Sequence, residues 1–200
     1  SQFTTLDTHD GIGVVDVRDL LSENQVEKTR ELLYQKGANA SRVYSTEKYN
    51  NLDVYQINCT YYSALGDDDR TYLLARAIQF FAPGIPQVYY VGMLAGSNDL
   101  ELVERTRQGR DINRHFYTAD EIGREMERPV VRALKRLMVL RNTCEAFSGD
   151  LVIEDTSPDK LSLRRSCGGA EARLDADLPT RFFTVTYRQA GGAWQDVELL

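Results

Sequence analysis

Residues 67–92, DDDRTYLLARAIQFFAPGIPQVYYVG, decide how this 200-residue chain is read. Asp67-Asp68-Asp69 offers an N-cap and negative charge where a helix begins. The helix, residues 69–82, is apolar over most of its surface through Tyr72, Leu73, Leu74, Ala77, Ile78, Phe80 and Phe81, so it is expected to be buried. Pro83-Gly84 stops it, and the β-branched and aromatic run at 86–91 follows as a short strand. Upstream, residues 4–8 form a strand that runs into the Gly-rich loop His9-Asp10-Gly11-Ile12-Gly13. Ser22 and Gln25 make a capping box for a helix over 22–36, closed by Gly37. Strand, helix, helix, strand in this order fits a parallel α/β unit.

Residues 38–52, polar and mixed, are expected to form a long surface loop, a length that is uncommon and often functional. Downstream, residues 92–117 are irregular. Thr118 and Glu121 give a second capping box, and helical periodicity runs to about Arg141, with Pro129 placed to start a new helix. Beyond Phe147 the pattern changes to strand-like runs at 151–155, 161–165, 182–187 and 193–199, with turns at Ser157-Pro158-Asp159 and Gly168-Gly169. The fold class is therefore α/β, with a domain over 1–145 and a small antiparallel β domain over 146–200. A chain that starts inside a strand is expected to be a piece of something longer.

Composition excludes several classes of function. With 24 basic and 30 acidic residues the net charge is −6, which rules out a strongly basic nucleic-acid footprint. An apolar share of 42% argues against intrinsic disorder. No apolar run reaches the length of a membrane span, and no signal peptide is visible. Cys59, Cys144 and Cys167 are odd in number and far apart, so a reduced, cytoplasmic chain is expected.

Chemistry-bearing residues gather in few places. His9-Asp10 follows a strand directly. At the C-terminal end of a barrel strand such residues face an active site; the alternative is a turn ahead of glycine. Gly109-Arg110-Asp111-Ile112-Asn113-Arg114-His115 packs two arginines, a carboxylate and a histidine into seven residues. This is either a clamp for an anion or a sugar, or a solvated salt-bridged loop. Asp53, Tyr55 and Gln56 stand either on an exposed strand edge or facing a sugar. Asp67-Asp68-Asp69 lacks the partner that a calcium loop needs and is better read as a helix cap; no metal and no cofactor are expected. Neither phosphate-loop nor dinucleotide glycine motifs occur.

Taken in order, five stretches resemble sucrose phosphorylases of the α-amylase superfamily: Leu6–Gly13, Asn51–Asn58, Thr60–Gly66, Pro86–Gly92 and Gly109–His115. The likeness covers residues 4–147 well and the last fifty in general character. It implies the last part of a (β/α)8 TIM barrel, about strands 7 and 8, followed by a C-terminal β domain. It also implies a retaining double displacement in which an aspartate attacks and a glutamate protonates the leaving fructose. Sucrose and phosphate would be the substrates and α-glucose 1-phosphate a product. By the same resemblance Asp10 is the transition-state stabiliser, His9 and Arg110 hold the glucosyl group, and Asp53, Tyr55 and Gln56 belong to a mobile loop that meets fructose or phosphate. The family's nucleophile and acid/base would lie in the N-terminal part of the barrel, ahead of Ser1, so the chain alone is expected to be inactive. The alternatives are a phosphorylase for sucrose 6′-phosphate or a glucosylglycerate-type glucoside, and a non-catalytic carbohydrate-binding or assembly module.

Overall fold

A computed structural model describes residues 2–13, 17, 19–38 and 56–200. Its contacts divide the chain into two compact units, one of the described residues up to Thr5 with Asp69–Gln87 and Arg124–Leu200, the other of those within Leu6–Asp68 with Val88–Gly123.

In the first unit β1 (Phe3–Thr5) and β4 (Ile85–Gln87) pair in parallel, Phe3 opposite Ile85 and Thr5 opposite Gln87. The parallel unit expected from element order is present, although both strands are shorter than the sequence pattern suggested. Helix α3 (Asp69–Phe81) buries Tyr72, Leu73, Leu74, Ala77, Phe80 and Phe81. It packs on α7 (Pro129–Thr143), which opens with Pro129 at its first position and buries Val130, Val131, Leu134, Leu137 and Leu140. Two polar residues of α3 also go inside, and their hydrogen bonds explain why. The Gln79 side-chain amide donates to the carbonyls of Thr4 and Gln87, both at 2.8 Å, tying β1 to β4. Arg76, with no exposed surface, donates to the Tyr72 hydroxyl and to Gln79 Oε1 at 2.9 Å, which orients that amide.

The C-terminal part of this unit is a five-stranded antiparallel meander: β5 (Asp150–Ile153), β6 (Lys160–Cys167), β7 (Ala170–Asp177), β8 (Phe182–Arg188) and β9 (Gln195–Asp196). Leu163 lies opposite Leu174, and Leu174 opposite Val185, which sets the buried face. Strand β7 was not expected. Its buried positions are Ala170, Ala172, Leu174 and Ala176, and an alternation built mostly on alanine is weak evidence for a strand.

In the second unit β2 (Ile12–Gly13) pairs antiparallel with β3 (Gln56–Ile57). Helix α1 (Glu23–Gln35) carries the expected Ser22/Gln25 capping box. It ends with Gly37 at φ 82°, where the Gly37 amide donates to the Tyr34 carbonyl and the Ala38 amide to the Leu33 carbonyl. Leu33 and Ala38 enter a small core with Ile57, Cys59 and Ala64. Of the expected loop at 38–52, every residue but Ala38 lies outside the described residues.

Short helices α2 (Tyr61–Ala64), α4 (Tyr90–Met93) and α5 (Leu100–Thr106) and the 3-10 turn Gly109–Asn113 follow, and α6 (Ala119–Glu125) starts at the expected Thr118/Glu121 box. Tyr90 and Val91, expected in a strand, are helical instead, and part of the stretch expected to be irregular is α5. Asp67, expected at a helix start, instead accepts from the Ser63 and Ser97 hydroxyls, both at 2.8 Å. Among the described residues no helix is long and apolar enough to cross a membrane, and no group of three or more metal-binding side chains occurs.

Candidate functional site

The turn Thr8–Gly11 sits in the segment between β1 and β2. The Gly11 amide donates to the Thr8 carbonyl at 3.2 Å, and the Asp10 amide to the Thr8 hydroxyl at 3.2 Å. His9 and Asp10 are therefore the two central residues of a tight turn. Gly11 closes it at φ 101°, in the region that favours glycine. A Cβ there would stand 2.3 Å from the Ile57 carbonyl oxygen, so the absent side chain also lets the turn press against β3.

The carbonyls of the first three residues of the turn are gripped from elsewhere in the unit. Asn113 Nδ2 donates to the Thr8 carbonyl at 2.5 Å, Arg114 Nε to the His9 carbonyl at 3.2 Å, and Asn58 Nδ2 to the Asp10 carbonyl at 3.0 Å. The backbone is thus held at three successive positions.

The Asp10 side chain faces two guanidinium groups at one oxygen and an imidazole at the other. Its Oδ1 lies 3.3 Å from Arg110 Nη1 and 3.5 Å from Arg114 Nη2, and its Oδ2 lies 3.3 Å from His9 Nε2. Oδ1 is buried, yet among the described residues no donor meets it at hydrogen-bonding geometry, so these contacts are ionic. Asp10 is a quarter exposed and His9 mostly exposed. The turn that the sequence offered as one reading of His9-Asp10 is present, and it presents the Asp10 carboxylate to two guanidinium groups.

The loop that supplies those guanidiniums is braced from behind. Tyr89 donates to the Asn113 carbonyl at 3.1 Å and Tyr90 to the His115 carbonyl at 2.8 Å. His115 Nδ1 is 2.6 Å from Asp99 Oδ2, while Asp99 Oδ1 caps α5 by accepting from the Leu102 amide at 2.8 Å. The Tyr89 phenol is pushed above its ordinary pKa by burial first and by its Tyr90 neighbour second.

Gln56 lies opposite Gly13 in the β2–β3 pair, half-buried, with its Oε1 buried and accepting no hydrogen bond among the described residues. Of the residues singled out in the sequence, the fold brings His9, Asp10 and Arg110 together and carries Gln56 on the strand paired with β2. Asp53 and Tyr55 lie outside the described residues. Sequence reasoning counted Arg114 among the two arginines of a possible clamp but gave no role to Asn113 or Asn58. Their signal was their place inside the stretches that resemble one family, because the backbone carbonyls they grip leave no trace in a sequence. The cluster offers ionic and hydrogen-bonding groups, which suits a hydroxyl-rich ligand.

No protein-family model matches the chain. It is 56% identical over 189 residues to the sucrose phosphorylase of Streptococcus mutans, a match covering 92% of this chain and 39% of that protein. It is 47% identical over 196 residues to the sucrose 6(F)-phosphate phosphorylase of Thermoanaerobacterium thermosaccharolyticum, covering 96% and 40%. A crystal structure described as sucrose 6F-phosphate phosphorylase from Thermoanaerobacter thermosaccharolyticum superposes with a TM-score of 0.89 at 45% identity, over 100% of this chain and 41% of that one. The chain spans about two fifths of the length of the curated relatives it matches.

Proposed function

The chain belongs to the sucrose phosphorylase family as a C-terminal portion, with that family's α/β barrel fold, and from this premise we propose what its residues do. The whole protein transfers a glucosyl group from sucrose to phosphate, giving α-glucose 1-phosphate and fructose, by a retaining double displacement. Residues 1–145 supply the last part of the (β/α)8 barrel and 146–200 the C-terminal β domain. The attacking aspartate and the acid/base glutamate belong to the preceding part of the protein, which is the first partner of this chain. No cofactor is needed, because two carboxylates carry the covalent chemistry. A cytoplasmic location accords with three free cysteines.

Asp10 sets its charge against the oxocarbenium-like transition state, and a preorganised contact of this kind is worth about 3–4 kcal/mol. Arg110 and His9 hold hydroxyls of the glucosyl ring. Gln56, with Asp53 and Tyr55, meets the fructosyl group or the phosphate that replaces it. One observation carries the reading: Asp10 and Arg110, a hundred residues apart in sequence, lie 3.3 Å apart, so one ring can touch both.

The test is a glucose 1-phosphate assay on sucrose and phosphate, run on the whole protein and on the 200-residue chain. Turnover by the whole protein and none by the chain is expected. Turnover by the purified chain would overturn the assignment of the covalent chemistry to the preceding part. A second reading, sucrose 6′-phosphate as the donor, is favoured by the 47% identity and the TM-score of 0.89 to proteins of that specificity. The ratio of kcat/KM for the two donors separates the readings.

A further inference from the structure

We propose that Arg114 is a positioning residue for Asp10, the group that keeps the carboxylate aimed while Arg110 exchanges its contact with Asp10 for one with substrate. The inference rests on the function proposed above.

The two arginines approach the same oxygen but are held differently. Among the described residues Arg110 has a single ionic partner, Asp10 Oδ1 at 3.3 Å. Arg114 is anchored at three points: its Nε donates to the His9 carbonyl at 3.2 Å, its Nη2 lies 3.5 Å from Asp10 Oδ1, and its Nη1 lies 3.7 Å from Asp111 Oδ1. The guanidinium is planar and rigid, so fixing Nε on a backbone carbonyl also fixes where the two Nη groups point. The carbonyl it grips belongs to the residue just before Asp10, so one side chain sets both the backbone and the carboxylate of the same turn. Asn113, its neighbour, grips the Thr8 carbonyl, which keeps this part of the loop against the turn.

The consequence is a division of labour. If Arg110 were the only cation on Asp10, drawing it onto a sugar hydroxyl would release the carboxylate at the moment its orientation matters. With Arg114 in place, Oδ1 keeps one ionic contact throughout. An ammonium in place of the Arg114 guanidinium is a point charge and cannot hold the carbonyl and the carboxylate together.

The test is a double-mutant cycle in the whole protein, with Arg114→Gln and Asp10→Asn, followed by glucose 1-phosphate formation from sucrose. Arg114→Gln is expected to lower kcat by about tenfold or more with KM for sucrose held within about twofold. In the Asp10→Asn background the same change is expected to cost less than about threefold, because it has lost the group through which it acts. Arg114→Lys is expected to stay within about threefold of Arg114→Gln. If Arg114→Gln proves too unstable to assay, Arg114→Lys takes its place in the cycle. Equal losses in both backgrounds, a rise in KM with kcat unchanged, or full recovery by lysine would overturn the inference. Absence of turnover in the parent protein would overturn the proposed function as well, so the parent assay separates the two failures.

Discussion

Replacing Gly11 by alanine adds one methyl group at the point where the Asp10 turn presses on β3. The new Cβ would stand 2.3 Å from the Ile57 carbonyl oxygen and 3.0 Å from Asn58 Cα. Both are backbone atoms, so no side chain can swing aside. Opening the first contact to the 3.4 Å of ordinary van der Waals approach takes a movement of about 1.1 Å. Holding an L-residue at a left-handed φ costs about 1–2 kcal/mol, and forcing a methyl into a packed contact costs about 1–3 kcal/mol, so a total of roughly 2–5 kcal/mol is expected.

The displacement also acts on function. Asn58 donates to the Asp10 carbonyl at 3.0 Å, and a shift of this size breaks that bond and moves Gln56 away from Asp10. Misplacement by about 1 Å costs on the order of 10²-fold in rate. The assay is urea unfolding of the whole protein alongside kcat for glucosyl transfer. Gly123→Ala is the control: Gly123 lies within α6 with nothing within 4 Å of its virtual Cβ. Alanine there is expected to be neutral or stabilising by about 0.5–1 kcal/mol. A Gly11→Ala protein with an unchanged unfolding midpoint and kcat within about threefold of the parent would refute the argument from close approach.

Three further outcomes are expected. Asp10→Asn in the whole protein lowers kcat by at least ~10²-fold with a modest effect on KM, as loss of a transition-state contact requires; an effect below about threefold would leave Asp10 as a turn residue only. Arg110→Lys weakens glucosyl transfer by about 2–3 kcal/mol for sucrose and for glucose 1-phosphate alike, since both present the same ring, and a change confined to phosphate saturation would make Arg110 an anion contact instead. Burial pushes the Cys59 thiol up from 9.0 to about 11 in the folded chain. The unfolded chain then loses its thiol proton first as pH rises, so the stability this group contributes is complete below pH 9 and fades towards pH 11. Urea midpoints of parent and Cys59→Ala across that window should converge as pH rises; parallel curves would rule the linkage out.

The parts of the fold legible in the sequence are those decided by neighbours in the chain. Ser22 with Gln25, Thr118 with Glu121, and Pro129 at a first helical position each act within one turn of helix, and each stands where its spacing placed it. The apolar surface of α3 was legible for the same reason. Strand β7 and helix α4 were not. The first has alanine at most of its buried positions, and the second sits in a β-branched, aromatic run whose local preference is overridden by its surroundings. Arg76 shows the same limit: an arginine with no exposed surface contradicts every local rule until the Tyr72 hydroxyl and Gln79 are seen beside it. The pairing of Asp10 with Arg110 lay beyond any periodicity. The five ordered stretches that resemble one family put both residues at one glucosyl group without pairing them, and the ion pair came from the fold.

The three gripped carbonyls explain why a site assembled from distant segments can be stiff without a large core beneath it. A turn fixed only by its own hydrogen bond leaves His9 and Asp10 free to rock about the Thr8–Gly11 closure. Here the carbonyls of Thr8, His9 and Asp10 accept from Asn113, Arg114 and Asn58, two of which come from one loop and the third from the segment after β3. A backbone carbonyl accepts whatever side chain its own residue carries. On the proposed function, the identity of His9 and Asp10 therefore matters for chemistry, and that of Thr8, Asn58, Asn113 and Arg114 for geometry. Each grip needs a donor of fixed reach, so Asn58→Asp and Asn113→Asp would replace attraction by repulsion at nearly constant volume. Asn113→Leu removes the donor without adding charge. Loss of glucosyl transfer on Asn113→Leu with His9 and Asp10 intact would show that the turn is held from the arginine loop, and unchanged kinetics would show that its own hydrogen bond suffices.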